Sequence, residues 1–120
     1  MRRNAFAALI ILVAVGTILA ACKVGQLAWA YGTDSSTSFK VFVKGALQNS
    51  GKTTIQSAVV KIDIFRKADN AKVTTMSATV TGLAAGAQES FTAGPAMVVR
   101  KGTNVPNTYY YKLQLPVVEH

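Results

Sequence analysis

A chain of 120 residues with one cysteine and one histidine cannot build a disulfide framework or a zinc site from His and Cys ligands, and it has room for one small core. Lys and Arg number 13 against 5 Asp and Glu, a formal charge of +8, which favours anionic neighbours over cationic ones. The single histidine is His120, so a nucleophilic triad has no internal imidazole to use, and the inventory points away from an enzyme.

Arg2 and Arg3 precede an apolar run from Ala5 that closes on Leu19-Ala20-Ala21-Cys22. A basic region, an apolar region and small residues before a break form the export pattern, so residues 1–21 are an address rather than part of the fold. Leu19, Ala20, Ala21 and Cys22 resemble the lipobox of bacterial lipoproteins. That resemblance implies a diacylated Cys22, removal of the peptide before it, and often acylation of the new amino terminus. The covalent lipid on Cys22 is then the only prosthetic group expected, and membrane lipid the first partner. Each buried methylene adds about 0.8 kcal/mol of membrane affinity, so two or three chains anchor the protein firmly. By the same resemblance Lys23, where inner-membrane lipoproteins often carry aspartate, permits an outer-membrane destination.

The alternative leaves the segment uncut. Eighteen residues from Ala5 to Cys22 make roughly 27 Å of helix, close to the ~30 Å hydrocarbon layer, with Lys23 snorkelling and Trp29 and Tyr31 in the interfacial belt. Filament subunits of the pilin kind also begin this way, although the glutamate that type IV pilins carry early in the helix has no counterpart before Asp34. Either way the remaining chain is expected outside the cytoplasm.

Without Arg2 and Arg3 the basic residues number 11 against 5 acids. Residues 22–37 are expected to be lipid attachment and tether, ending in the polar Gly32-Thr33-Asp34-Ser35-Ser36-Thr37-Ser38. The folded domain is placed at 38–118. Phe39, Val41, Val43 and Leu47 alternate with Lys40, Lys44 and Gln48, and after Asn49-Ser50-Gly51 the apolar set Ala58, Val60, Ile62 and Ile64 repeats the period of two. Val73 to Thr81 suits a half-exposed strand, Gly82 to Gly86 breaks it, and short strands follow at Gln88–Thr92, Ala96–Lys101 and Thr108–Val117. In the last of these Tyr109, Tyr111, Leu113 and Leu115 are assigned to the core. The fold class expected is all-β, an immunoglobulin-like β-sandwich of about six or seven strands preceded by the apolar signal or anchor helix.

From Phe39 to Leu115 the pattern resembles the FxLYD-type immunoglobulin-like domains of bacterial and archaeal surface proteins. The resemblance rests on Val43-Lys44-Gly45, Asn49-Ser50-Gly51, Ile62-Asp63-Ile64-Phe65, Leu83-Ala84-Ala85-Gly86, Phe91 and Tyr109 to Tyr111. It departs at Arg66, where the family carries aspartate, and at Ala85, where proline is usual. A similar order of turns occurs in the water-stress-type domains of desiccation proteins. Neither family is chiefly enzymatic, and the resemblance implies a binding or scaffolding role.

Gly45 to Thr53 imitates a phosphate-binding loop with one residue too many between its glycines, followed by β-favouring threonines, so a turn is expected and no nucleotide. The candidate binding patch joins Phe65, Arg66 and Lys67 to Tyr110 and Lys112, where exposed rings beside cations would suit a glycan, a polymer or a protein. Nucleic acid is disfavoured, because only these two ring–cation pairs offer stacking platforms. The expected function is a membrane-anchored extracytoplasmic binding or scaffolding lipoprotein acting on an envelope protein or an anionic surface polymer. In the polymer case Lys40, Lys44, Lys61, Arg100 and Lys101 should converge on one surface. The alternative is a subunit of an envelope assembly or pilus-like filament held by the uncut helix.

Overall fold

The computed structural model describes residues 22–120, so the expected signal or anchor helix, with Leu19, Ala20 and Ala21, lies outside the described residues. In chain order come β1 (Cys22–Thr33), β2 (Ser38–Asn49), β3 (Ile55–Arg66), β4 (Lys72–Leu83), β5 (Gln88–Arg100), the short helix α1 (Val105–Thr108), β6 (Tyr109–Leu113) and β7 (Val117–Glu119). Their ladders form one antiparallel sheet in the order β1-β2-β5-β4-β3-β6, with β7 also on β3. The sheet curls into a half-barrel.

The curl has a local cause. β4 and β5 share a single pair, Ser77 with Gly94, so the sheet is hinged there between β1-β2-β5 and β4-β3-β6. Val41, Val43 and Leu47 of β2 face inward, as do Ala58, Val60, Ile62 and Ile64 of β3, Met76 and Val80 of β4, and Phe91, Ala93 and Met97 of β5; together they fill one core. The far edges are fastened by side chains: Tyr111 Oη donates to the Leu27 carbonyl at 3.1 Å, and the Trp29 and Tyr111 rings meet edge-on at 4.9 Å.

The tether expected over residues 22–37 is mostly strand. Residues 22–33 are a strand that pairs with β2 from Cys22–Asn49 to Thr33–Phe39, so they belong to the sheet and only residues 34–37 link the first two strands. A bulge explains it. Gln26 takes a left-handed φ of 57°, and Gln26 and Leu27 together oppose Gly45, which moves the inward positions from Cys22 and Val24 to Leu27 and Trp29.

The short strands expected at Gln88–Thr92 and Ala96–Lys101 are one strand, β5. Pro95 has no N–H for the ladder, and the register absorbs it: Val41 pairs with Met97 but Val43 pairs with Ala93. The expected strand over Thr108–Val117 divides into β6 and β7. Tyr109 and Tyr111 pack on the core, whereas Leu113 is exposed and Leu115 is 73% exposed, against the core assignment. After Leu113 one more bond, from the Gln114 amide to the Lys61 carbonyl at 2.9 Å, holds the chain to β3, and pairing resumes only at Val117, so Leu115 lies between the two ladders and faces outward.

Candidate functional site

Each long strand spans about 36–40 Å, so the molecule has two ends and two outward faces. Cys22 marks one end. It lies opposite Asn49, is 9% exposed and joins the core, and burial pushes its thiol pKa upward. Beside it Asn49 is the fully buried polar side chain of the described residues. Its Nδ2 donates to the carbonyls of Thr53 (2.8 Å) and Leu83 (2.9 Å), and its Oδ1 accepts from the Gly51 amide (3.0 Å). Gly45 to Thr53 is thus the middle and end of β2 with its turn, not a phosphate loop.

The candidate patch on β3 and β6 is brought together. Phe65 pairs in register with Tyr110; the rings stack at 5.2 Å with planes 13° apart, and Lys112 Nζ lies 5.6 Å from the Phe65 centroid. Its cations are engaged internally. Arg66 holds Asp69 through Nε (3.1 Å) and Nη2 (3.3 Å), Lys67 Nζ donates to the Pro106 carbonyl at 2.7 Å, and Tyr110 Oη donates to Asn70 Oδ1 at 3.0 Å. A ligand there would have to displace pairs that close the β3–β4 turn and seat α1.

Farther along β3, Asp63 accepts from Thr75 Oγ1 (2.6 Å) and Gln114 Nε2 (3.0 and 3.2 Å) and faces Lys72 Nζ at 3.3 Å. The Thr75 bond foremost, joined by those of Gln114 and Lys72 and by the charge of Lys72, outweighs the upward push of burial and holds its pKa below the usual carboxylate value. A carboxyl with a depressed folded pKa stabilises above its unfolded pKa, and that contribution drains away as pH falls through the folded value. Asp63→Asn is therefore expected to reduce the loss of stability between about pH 6 and about pH 2, followed by thermal unfolding. Equal losses in both proteins would place the acid sensitivity elsewhere.

At the end opposite Cys22 the core tapers into an open groove of about 340 Å³ lined by Tyr31, Phe39 and residues 103–106. Tyr31 is 55% exposed and meets Phe39 edge-on at 5.8 Å. Asn104 shapes the wall by capping α1, its Oδ1 accepting from the Asn107 amide at 3.2 Å. A wider cleft of about 580 Å³ has hydroxyls of residues 36–38 on one side and residues 98–101 on the other. The Lys101 amide donates to the Thr37 carbonyl at 2.9 Å, which fixes the two walls relative to each other. Sequence reasoning missed both hollows, the groove because Tyr31 lies on β1 and the cleft because it needs the end of β5 beside the start of β2.

Of the five dispersed cations expected to converge, Lys40, Lys44 and Arg100 share the outward face of β2 and β5, with Lys101 at its end. Lys61 points outward from β3, which β5 and β4 separate from β2. Among the described residues no His, Cys, Asp or Glu gather in threes as a metal site, and no helix is long and apolar enough to cross a membrane. Comparison of the chain with family models, curated proteins and solved structures finds no match.

Proposed function

We propose that this chain is a lipid-anchored binding module of the bacterial envelope, acylated at Cys22 and carrying one immunoglobulin-like sandwich of the FxLYD kind outside the cytoplasm. The observation that carries the reading is positional. The lipobox cysteine is the first residue of β1, at one end of the strands, while the open groove and the unpaired Arg100 and Lys101 lie at the other. A lipid on Cys22 would stand the sheet on the membrane by one end, with no intervening tether, and leave the grooved end about 36–40 Å away to meet an envelope protein or an anionic polymer. The buried thiol sets a condition on this reading: lipid would have to be joined to Sγ before β1 seats on β2, and the lipidated side chain would have to point out of the core that the free thiol joins.

The test is the intact mass of the protein extracted from its own membranes, beside a Cys22→Ser version. A chain beginning at Cys22 with added acyl mass, lost in the serine version, is expected. An uncut chain without lipid would overturn the anchor and favour the second reading, a subunit of an envelope assembly held by its apolar segment. That reading draws on the outer rim of β6 and β7, where Leu113, Leu115 and Val117 are exposed beside sheet edges that could pair between neighbours.

A further inference from the structure

We propose that the outward face of β2 and β5, from Lys44 to the cleft at Ser36–Ser38, docks a linear surface polyanion that is not a nucleic acid. This deepens the reading of the chain as an envelope binding module and rests on it. Ser38 pairs with Arg100 and Lys40 with Val98, and alternation puts Phe42 and Lys44 on the same side, so three cations form a row along the strands. Lys40 and Lys44 are four residues apart, about 13 Å, and Arg100 lies about 7 Å beyond Lys40 on the adjacent strand. A single small anion cannot bridge that row, whereas an extended chain of repeated charge can.

The cations on this face are free to act. The ion pairs among the described residues join Arg66 to Asp69 and Lys72 to Asp63, both on the β3 side of the curl, and leave Lys40, Lys44, Arg100 and Lys101 without a carboxylate partner. Asp34, just before the cleft residues, accepts the Ser38 hydroxyl. Between the cations lie Val98, 56% exposed, and half-buried Phe42, so the row offers charge without the exposed flat rings on which bases stack. The exposed ring at that end, Tyr31, lines the separate groove edge-on to Phe39.

The experiment uses the full chain in detergent, with long-chain polyphosphate as the phosphate probe, polygalacturonate as the carboxylate probe and single-stranded DNA of matched charge. The variant Lys40→Gln/Lys44→Gln/Arg100→Gln is compared with Lys52→Gln/Lys61→Gln/Lys72→Gln, which removes the same charge elsewhere. The face variant is expected to lose about tenfold or more in affinity and to show a shallower salt dependence, with the control within about threefold of the parent. Binding of one polymer or of both supports the proposal and identifies which anion is read. Equal losses in the two variants, no binding of either polymer by the parent, or tighter binding of DNA than of both polymers would overturn it. Intact mass on the same preparation reports acylation separately, so failure of polymer binding by an acylated chain sinks this proposal and leaves the anchor standing.

Discussion

Gly45→Val is expected to be the most damaging single change in the sheet, costing more than the ~1–3 kcal/mol typical of an overpacked core. Gly45 is buried on the inward side of β2, paired with Phe91 of β5 and roofed on the other side by the β1 bulge. A Cβ built there would lie 2.8 Å from Leu27 Cδ2, 2.9 Å from Phe91 Cζ and 3.1 Å from the Gly25 carbonyl oxygen. The leucine tip can swing, but the carbonyl belongs to backbone held in the β1–β2 ladder. Gly45→Ala tests the idea in a form that still folds, with an expected loss of about 1–3 kcal/mol in denaturant unfolding. Leu27→Ala added to it should recover part of the loss, because it removes one of the clashing atoms. An alanine variant within about 0.5 kcal/mol of the parent would show that the bulge yields freely.

The same bulge explains why β1 was not legible. Cys22 and Val24 keep a period of two, and Leu27, Trp29 and Tyr31 keep another, but Gln26 shifts the phase between them, so the stretch reads as mildly apolar chain. β2 and β3 were legible because each keeps its own period of two, over Phe39–Val43 and Ala58–Ile64, and the register shift between Val41 and Val43 is taken up by extra residues of β5. Gly94-Pro95 looks like a break in sequence, yet the sheet takes it in as extra residues at the hinge where β5 meets β4. At the C-terminal end alternation alone put Leu113 and Leu115 inside, and it could not reveal that β6 stops at Leu113.

Legibility of the candidate sites follows the same division. The Phe65–Tyr110 pairing could be anticipated, since both residues fall on the outward phase of their strands. Their engaged cations could not, because Lys67 finds the Pro106 carbonyl across 39 residues through the seating of α1. The row of Lys40, Lys44 and Arg100 needed the knowledge that β5 lies beside β2. Alternation says which side of a strand a lysine takes, but not which strand stands next to it.

The second large effect is expected at Asn49, where the two turns of the Cys22 end are tied together. Besides its three side-chain bonds, its amide donates to the Ala87 carbonyl and its carbonyl accepts from the Gly86 amide, both across to the β4–β5 turn. Asn49→Leu preserves volume but leaves two carbonyls without a donor and the Gly51 amide without an acceptor, at about 1–3 kcal/mol for each group that stays dry. Asn49→Asp should be worse near neutral pH. It retains an acceptor for Gly51, but it faces the Thr53 and Leu83 carbonyls with a buried charge and no protons to offer. Acid should bring the aspartate variant back toward the leucine one, because a protonated carboxyl regains one donor, a reversal that leucine cannot show. Denaturant unfolding of the three proteins across pH separates lost hydrogen bonding from lost packing. A leucine variant within about 0.5 kcal/mol of the parent would mean that water reaches these turns and that the Cys22 end is held by β1–β2 pairing alone.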